Sequence, residues 1–263
     1  YYSIRENVGL FDVSHMGEFY IYGEHATKFL DYLTLNNVSK LKIGDAQYSA
    51  MCNNEGGIID DLILYKKNNG YLMVVNASNI TKNYDWVCKN IIKGVKIDNL
   101  SNKLSLIALQ GPSSRDILSK LTKINLHLPF YSFKEGLIHQ YQVMLSRTGY
   151  TGELGFEIYG DDNSILNIWN RLIDYGVKPA GLAARDILRM EMKYCLYGND
   201  INNTTNPLEA GIGWIIDFSK NNFIGREALI KTKTKGISKN LVAFLMEERG
   251  IPRKGYEIFV EDK

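Results

Sequence analysis

The chain of 263 residues reads as an α+β fold. Short strands with period-two patterning gather into hairpins, and amphipathic helices fall between them without a strict strand–helix–strand rhythm. No internal repeat marks a solenoid or propeller. Composition sets the outer limits. With 45% hydrophobic and 23% charged residues, the chain can build one large or two modest domains. A net charge of +2 gives no strong pull toward nucleic acid or an anionic membrane, and no apolar run is long enough to span a bilayer. Cys52, Cys88 and Cys195 are odd in number and lack CxxC spacing, which predicts free thiols in a reducing compartment. His15, His25, His127 and His139 are scattered, so no protein metal site is expected. The chain opens on Tyr-Tyr-Ser and stops inside a strand-like run. Both natural ends, and any targeting peptide, are therefore expected to lie outside it.

Taken in order, residues 47–52, 58–67 and 71–76 predict three strands in a meander, joined by Asn53-Asn-Glu-Gly-Gly57 and Asn68-Asn-Gly70. A helix follows, with Ser78 as N-cap, a stripe of Ile80, Tyr84, Val87 and Ile91, and Gly94 as its stop. Residues 104–109 form another strand, and Gly111-Pro-Ser113 opens a helix through Leu121. Strands at 141–147 and 155–160 pair around a glycine-rich turn. Ser164 caps a helix that presents Ile165, Trp169, Leu172 and Ile173 and ends at Gly176. Residues 180–196 are again helical. The run 231–236 has linker composition, and 241–246 starts a fresh strand pattern.

Three stretches carry the chemistry. In Glu55-Gly-Gly-Ile-Ile-Asp-Asp-Leu-Ile-Leu-Tyr65 two acids sit inside an apolar strand, where an unpaired carboxylate is costly. Alternation places Asp61, Ile63 and Tyr65 on one face and Asp60, Leu62 and Leu64 on the other, so the pair is not a side-by-side dyad. Asp61 is the pocket candidate, because its face carries an apolar residue and then a phenol. In Gly149-Tyr-Thr-Gly-Glu-Leu-Gly155 three glycines make a tight loop that lets backbone approach a ligand. The spacing is GxxGxxG, not the dinucleotide GxGxxG, and Gly211-Ile-Gly213 also departs from it. Beyond the loop, Glu157 faces away from Phe156 and Ile158. It is either an exposed strand glutamate or a carboxylate meeting a guanidinium or an amino-pyrimidine edge. In Ala180-Gly-Leu-Ala-Ala-Arg-Asp-Ile-Leu-Arg-Met-Glu-Met192 the helix is apolar nearly all round, which predicts burial. Arg185 and Arg189 share a face with Leu182 and Met192 and need anionic partners. Asp186, Glu191, Glu153, Glu157 and a ligand carboxylate are the candidates. His15 reads as a satisfied structural histidine, while Tyr48, Tyr65 and Tyr150 could stack on a planar ring.

Together these runs resemble a known family. Gly9-Leu-Phe-Asp-Val-Ser-His-Met-Gly17, Gly56-Gly-Ile-Ile-Asp-Asp-Leu62, Ala108-Leu-Gln-Gly-Pro112, Arg147-Thr-Gly-Tyr-Thr-Gly-Glu153, Gly181-Leu-Ala-Ala-Arg-Asp186, Leu196-Tyr-Gly-Asn-Asp200 and Phe223-Ile-Gly-Arg-Glu-Ala-Leu229 resemble, in order, the glycine cleavage system T-protein family of aminomethyltransferases. The resemblance implies interlocked folate-binding subdomains over 1–235 and the start of a small β-barrel over 236–263. It implies tetrahydrofolate as co-substrate and no metal. The implied partner is an H-protein of the glycine cleavage complex, whose dihydrolipoyl arm carries the aminomethyl group. Folate N5 would attack that methylene, ammonia would leave, and closure with N10 would give methylene-tetrahydrofolate. Asp61 matches the family's catalytic aspartate, with Tyr48, Ile63 and Tyr65 along its wall. Tyr150, Glu157, Arg185 and Arg189 match folate-binding positions. The implied compartment is the cytoplasm of a bacterium or the mitochondrial matrix of a eukaryote. Relatives sharing the fold include folate-dependent demethylases, the folate domains of sarcosine and dimethylglycine oxidases, and non-catalytic iron–sulfur assembly proteins. The last carry Lys-Gly-Cys-x-x-Gly-Gln-Glu, from which Lys193-Tyr-Cys-Leu-Tyr-Gly-Asn-Asp200 departs.

Overall fold

The computed structural model describes residues 1–253 and 255–259. Its strands in chain order are β1 (Gly9–Asp12), β2 (Gly17–Tyr22), β3 (Ala46–Cys52), β4 (Ile58–Lys67), β5 (Gly70–Val75), β6 (Lys96–Asn99), β7 (Ser105–Gln110), β8 (Phe133–Ile138), β9 (Tyr141–Ser146), β10 (Gly155–Gly160) and β11 (Lys178–Pro179). The helices are α1 (Tyr2–Glu6), α2 (Ala26–Leu33), α3 (Ile80–Asn90), α4 (Ser114–Ser119), α5 (Asp162–Asp174), α6 (Leu182–Glu191) and α7 (Arg226–Lys235). Two mixed-order sheets result, β11-β1-β7-β10-β9-β8 and β3-β4-β5-β2-β6. Every pairing is antiparallel except β1 with β11. Antiparallel hairpins with helices laid on the outer faces are the α+β architecture expected from the sequence.

Period-two alternation sorts the side chains into layers. On β4, Leu62 and Leu64 point outward into a core shared with α2 and α3, together with Phe19, Ile21 and Phe29. Ile63 and Tyr65 point the other way, into a layer where both sheets meet, with Phe11, Ala108, Phe133 and Tyr159. The far side of the six-stranded sheet packs Phe156, Ile158 and Leu145 against α5 through Ile165, Ile168 and Leu172. A fourth core ties Cys52 and Ile58 to Cys195, Ile201 and Phe223 of the later chain. Among the described residues no helix is long and apolar enough to cross a membrane.

Several boundaries differ from the sequence reading for identifiable reasons. The N-cap of α5 is Asp161, whose carboxylate accepts from the Ser164 backbone N–H at 2.9 Å and from its hydroxyl at 2.6 Å, so Ser164 is the capped partner. The N-cap of α3 is Asn79 and not Ser78, and the Asn79 amide is committed to Asp60. α6 stops at Glu191 because Lys193 takes a left-handed φ of 59°. It is also not buried all round: Leu182, Ile187 and Met190 are exposed, and only Leu188 and Arg189 are fully inside. Residues 231–236 close α7 instead of linking domains. The Thr232 hydroxyl bonds Ala228 O and receives the Asn206 amide, and Gly236 ends the helix at φ 88°. No strand forms over 241–246. The expected barrel start over 236–263 falls partly on residue 254 and residues 260–263, which lie outside the described residues.

Candidate functional site

β4 and β10 aim their acids into the layer between the sheets from opposite sides. Asp61 is half-buried. Its Oδ2 accepts from the Tyr48 hydroxyl at 3.0 Å and its Oδ1 from the Asn76 amide at 2.8 Å. Burial raises the carboxyl from its ordinary 3.8 to about 7, and the neighbouring Asp60 adds to the rise, while the Tyr48 and Asn76 bonds oppose it. Asp60 faces the opposite side of the strand, as alternation requires, and is fully buried. Its oxygens accept from Asn76 N at 3.2 Å and from the amides of Asn76 at 2.8 Å, Asn79 at 2.8 Å and Asn83 at 2.5 Å. The two aspartates are thus back to back, yet joined through the single Asn76 amide.

Across the layer, Glu157 is buried, so the exposed-glutamate reading is excluded. Its Oε2 accepts from Thr148 Oγ1 at 2.5 Å and lies 3.5 Å from the Tyr65 hydroxyl, while Oε1 has no donor among the described residues. Tyr65 is buried completely, and its hydroxyl meets Tyr159 at 3.0 Å and Thr148 at 3.3 Å. It is a strut between the sheets, its ring edge-on to Phe133 and Tyr159, whereas Ile63 beside it is half-buried at the rim.

The two arginines of α6 part company. Arg189 is consumed internally. Its Nε donates to Asp186 at 2.7 Å, and its Nη1 donates to Tyr194 O at 3.0 Å and to Asp200. Arg185 lies over the Tyr150 ring, 4.7 Å from the centroid, and its buried Nη1 has no partner among the described residues. Burial lowers its guanidinium and the charge of Glu157 pushes back, which places the two groups within electrostatic reach. Tyr150 donates its hydroxyl to Cys195 O and stacks on Tyr194 at 5.7 Å. Of the other partners weighed for these arginines, Glu153 and Glu191 go to Arg5. Its Nη1 also donates to Thr151 O at 2.6 Å, so one α1 side chain fastens the glycine loop to α6.

The glycine loop makes its close approaches to the protein itself. A Cβ at Gly149 or Gly155 would meet the Gln110 side chain at 2.2 or 2.4 Å. His15 is exposed and not a satisfied core residue; burial and the Arg185 charge lower its imidazole, which sets it beside the same cluster. Sequence reasoning missed six contributors. Asn76, Asn79 and Asn83 recur at i, i+3 and i+7 after a strand end, a spacing that lets them converge on one acid. Tyr131 adopts a left-handed φ of 59°, and burial and then the charges of Glu157, Tyr194 and Asp61 raise its phenol. It stands between the two acidic walls, and no motif marks it. Trp214 stacks on Tyr48 at 6.0 Å and 29°. Glu18, aligned with Val74 as Ile63 is, completes the same inner row. It is fully buried, neither oxygen has a partner among the described residues, and burial raises it to about 8. No cluster of three metal-ligating side chains occurs among the described residues.

The layer between the sheets thus has a carboxyl raised to about 7 on its β4 side and, on the other, a glutamate oxygen and a buried guanidinium N–H without partners among the described residues. The profile of the GCVT N-terminal domain matches residues 1–220. The chain is 49% identical to an aminomethyltransferase of Halothermothrix orenii over 97% of this chain and 73% of that one. It is 51% identical to an aminomethyltransferase of Flavobacterium psychrophilum over 97% and 72%. Among solved structures, it superposes on the glycine cleavage system aminomethyltransferase T from Bartonella henselae with a TM-score of 0.83 and 34% identity. That match covers 89% of this chain, which spans only 65% of the other.

Proposed function

The chain belongs to the GCVT N-terminal domain family, and on that premise we propose that it transfers an aminomethyl carbon from the dihydrolipoyl arm of an H-protein to tetrahydrofolate with release of ammonia. The observation that carries the reading is Asp61, a carboxyl raised to about 7 on the inner face of β4 and gripped by one donor on each oxygen. A group in that range can hold or release a proton at neutral pH, which general acid–base work requires. The residues opposite suit a folate. Glu157 Oε1 awaits an N–H donor such as an amino-pyrimidine edge offers, and the orphan Arg185 Nη1 awaits an acceptor. When bound, tetrahydrofolate supplies the nitrogen nucleophile that takes up the carbon.

The chain's own contribution is positioning and proton handling. Tyr48 and Asn76 fix the Asp61 plane, Tyr150 underlies the Arg185 guanidinium, and Arg185 and Glu157 hold the ligand's polar edge. Burial holds the Tyr48 phenol well above its ordinary value, so it donates to Asp61 and does not compete for charge. Arg189, spent on Asp186, Asp200 and Tyr194, sustains the wall from behind. The relatives' shared name weighs against the oxidase-domain and iron–sulfur readings. The test is ammonia release from aminomethyl-loaded H-protein. Release that depends on added tetrahydrofolate is expected, and release without folate, or none with it, overturns the proposal.

A further inference from the structure

Asp60 is the feature the proposed chemistry leaves unused. It is fully buried on the face of β4 opposite Asp61, so it is shut off from anything that reaches that carboxyl. Four N–H donors, all from Asn76, Asn79 and Asn83, converge on its two oxygens. Every one of these contacts needs an acceptor, and a protonated carboxyl would waste at least one. No lysine, arginine or histidine forms an ion pair with it among the described residues. Burial raises the Asp60 carboxyl, and the bonds from Asn76, Asn83 and Asn79 pull it back, so these neutral amides are what favours its anion.

One of those donors belongs to both acids. The Asn76 amide nitrogen reaches Asp60 Oδ1 and Asp61 Oδ1, each at 2.8 Å. An amide with two hydrogens divided between two carboxylates has its plane fixed by both. The titratable groups that face Asp61 are Tyr48 from β3, Asp60 on its own strand, and Tyr131, Tyr150 and Cys195 from the surrounding loops. Burial holds the three phenols and the thiol above their ordinary values, so they stay neutral through the physiological range. Glu157 and Arg185 face Asp61 from across the layer, and Asp60, next to it in the chain, is the neighbouring charge that raises it.

We propose that Asp60 is a positioning residue for Asp61, fixing the shared Asn76 amide from behind the strand and setting a negative charge beside the Asp61 carboxyl. The inference rests on reading Asp61 as the proton-handling group, and its test separates the two claims. In the full chain, the Asp61 carboxyl is titrated by carbon-13 NMR, assigned by its loss in Asp61→Asn. Asp60→Asn is expected to lower the Asp61 midpoint by about one pH unit, a tenfold change in proton affinity. The acid limb of the transfer rate should move with it, and tetrahydrofolate affinity should stay within about twofold. A midpoint shift below half a unit in folded Asp60→Asn protein overturns the proposal.

Asparagine at 60 would turn a fresh donor toward Asn79 and Asn83, so that variant could fail to fold. The exchange Asp60→Asn with Asn79→Asp then keeps both donors and acceptors in number while moving the charge away from Asn76. It is expected to lower the midpoint as well, and an unmoved midpoint overturns the proposal. Asn76→Ala reads the positioning half. Turnover should fall at least fivefold at unchanged folate KM, and a smaller fall overturns it. If the wild-type protein transfers no carbon, the functional reading fails alone, and the titration still decides the role of Asp60.

Discussion

Replacing Asp61 with asparagine should make the protein inactive and, at alkaline pH, more stable. The sign follows from linkage. Burial raises the folded carboxyl from 3.8 to about 7, so between those values the folded state keeps a proton that the unfolded state has lost. Where the folded state binds more protons, stability falls as pH rises, and the loss is complete above 7. At about 1.4 kcal/mol per pH unit, the interval from pH 5.5 to 7 is worth roughly 2 kcal/mol. Asparagine has no such ionisation, and its oxygen can still accept the Asn76 amide. The stabilisation of Asp61→Asn over wild type should therefore grow by roughly 2 kcal/mol between pH 5.5 and pH 8.5. In a chain of this size that is on the order of 4–8 °C in melting temperature. The assay is a pair of thermal melts at each pH, with ammonia release measured in parallel. A melting difference that is flat with pH, or that shrinks as pH rises, refutes the reasoning about Asp61.

Three further outcomes follow from the same geometry. Glu157→Ala should weaken tetrahydrofolate binding by about 1–3 kcal/mol, the cost of stranding ligand donors, and slow the bound-state step far less; a calorimetric titration checks it. Arg185→Lys should reduce folate-induced thermal stabilisation while the apo melt stays put, whereas Arg189→Lys should lower the apo melt by about 1–3 kcal/mol as the Asp186–Asp200 fork is lost. Exchange of those two phenotypes would reverse the assignments. Glu18→Gln should be near-silent at pH 4 and stabilising at pH 9. The folded carboxyl, raised to about 8, loses stability as pH rises through the interval up to that value, which melts at the two pH values resolve.

Much of this was legible before the coordinates. The split of Asp60 and Asp61 across a strand, and the separation of Leu62 and Leu64 from Ile63 and Tyr65, are period-two consequences that tertiary packing did not override. The Asn76–Asn79–Asn83 cradle was not legible in the same way. A spacing argument finds residues that share a face, but not the acid on the neighbouring strand that they serve. Arg5 escaped for a related reason: nothing in a five-residue helix announces that its arginine will reach residues 153 and 191. The burial of α6 was overstated because apolar content does not say which side faces the sheets. Glu157 could be decided only once β9 and Tyr65 were seen to close over it.

Arg5 has a mechanical consequence. By gripping Glu153, Thr151 O and Glu191 together, it makes the loop bearing Tyr150 and the helix bearing Arg185 one stiff jaw. A substrate entering between the walls meets little give on that side. Compliance is left to the opposite rim, where Trp214 rests on Tyr48 with 70% of its surface in water. Because Tyr48 also donates to Asp61, the Trp214 fluorescence is expected to respond when tetrahydrofolate is added, an internal gauge of anything that reaches that carboxyl.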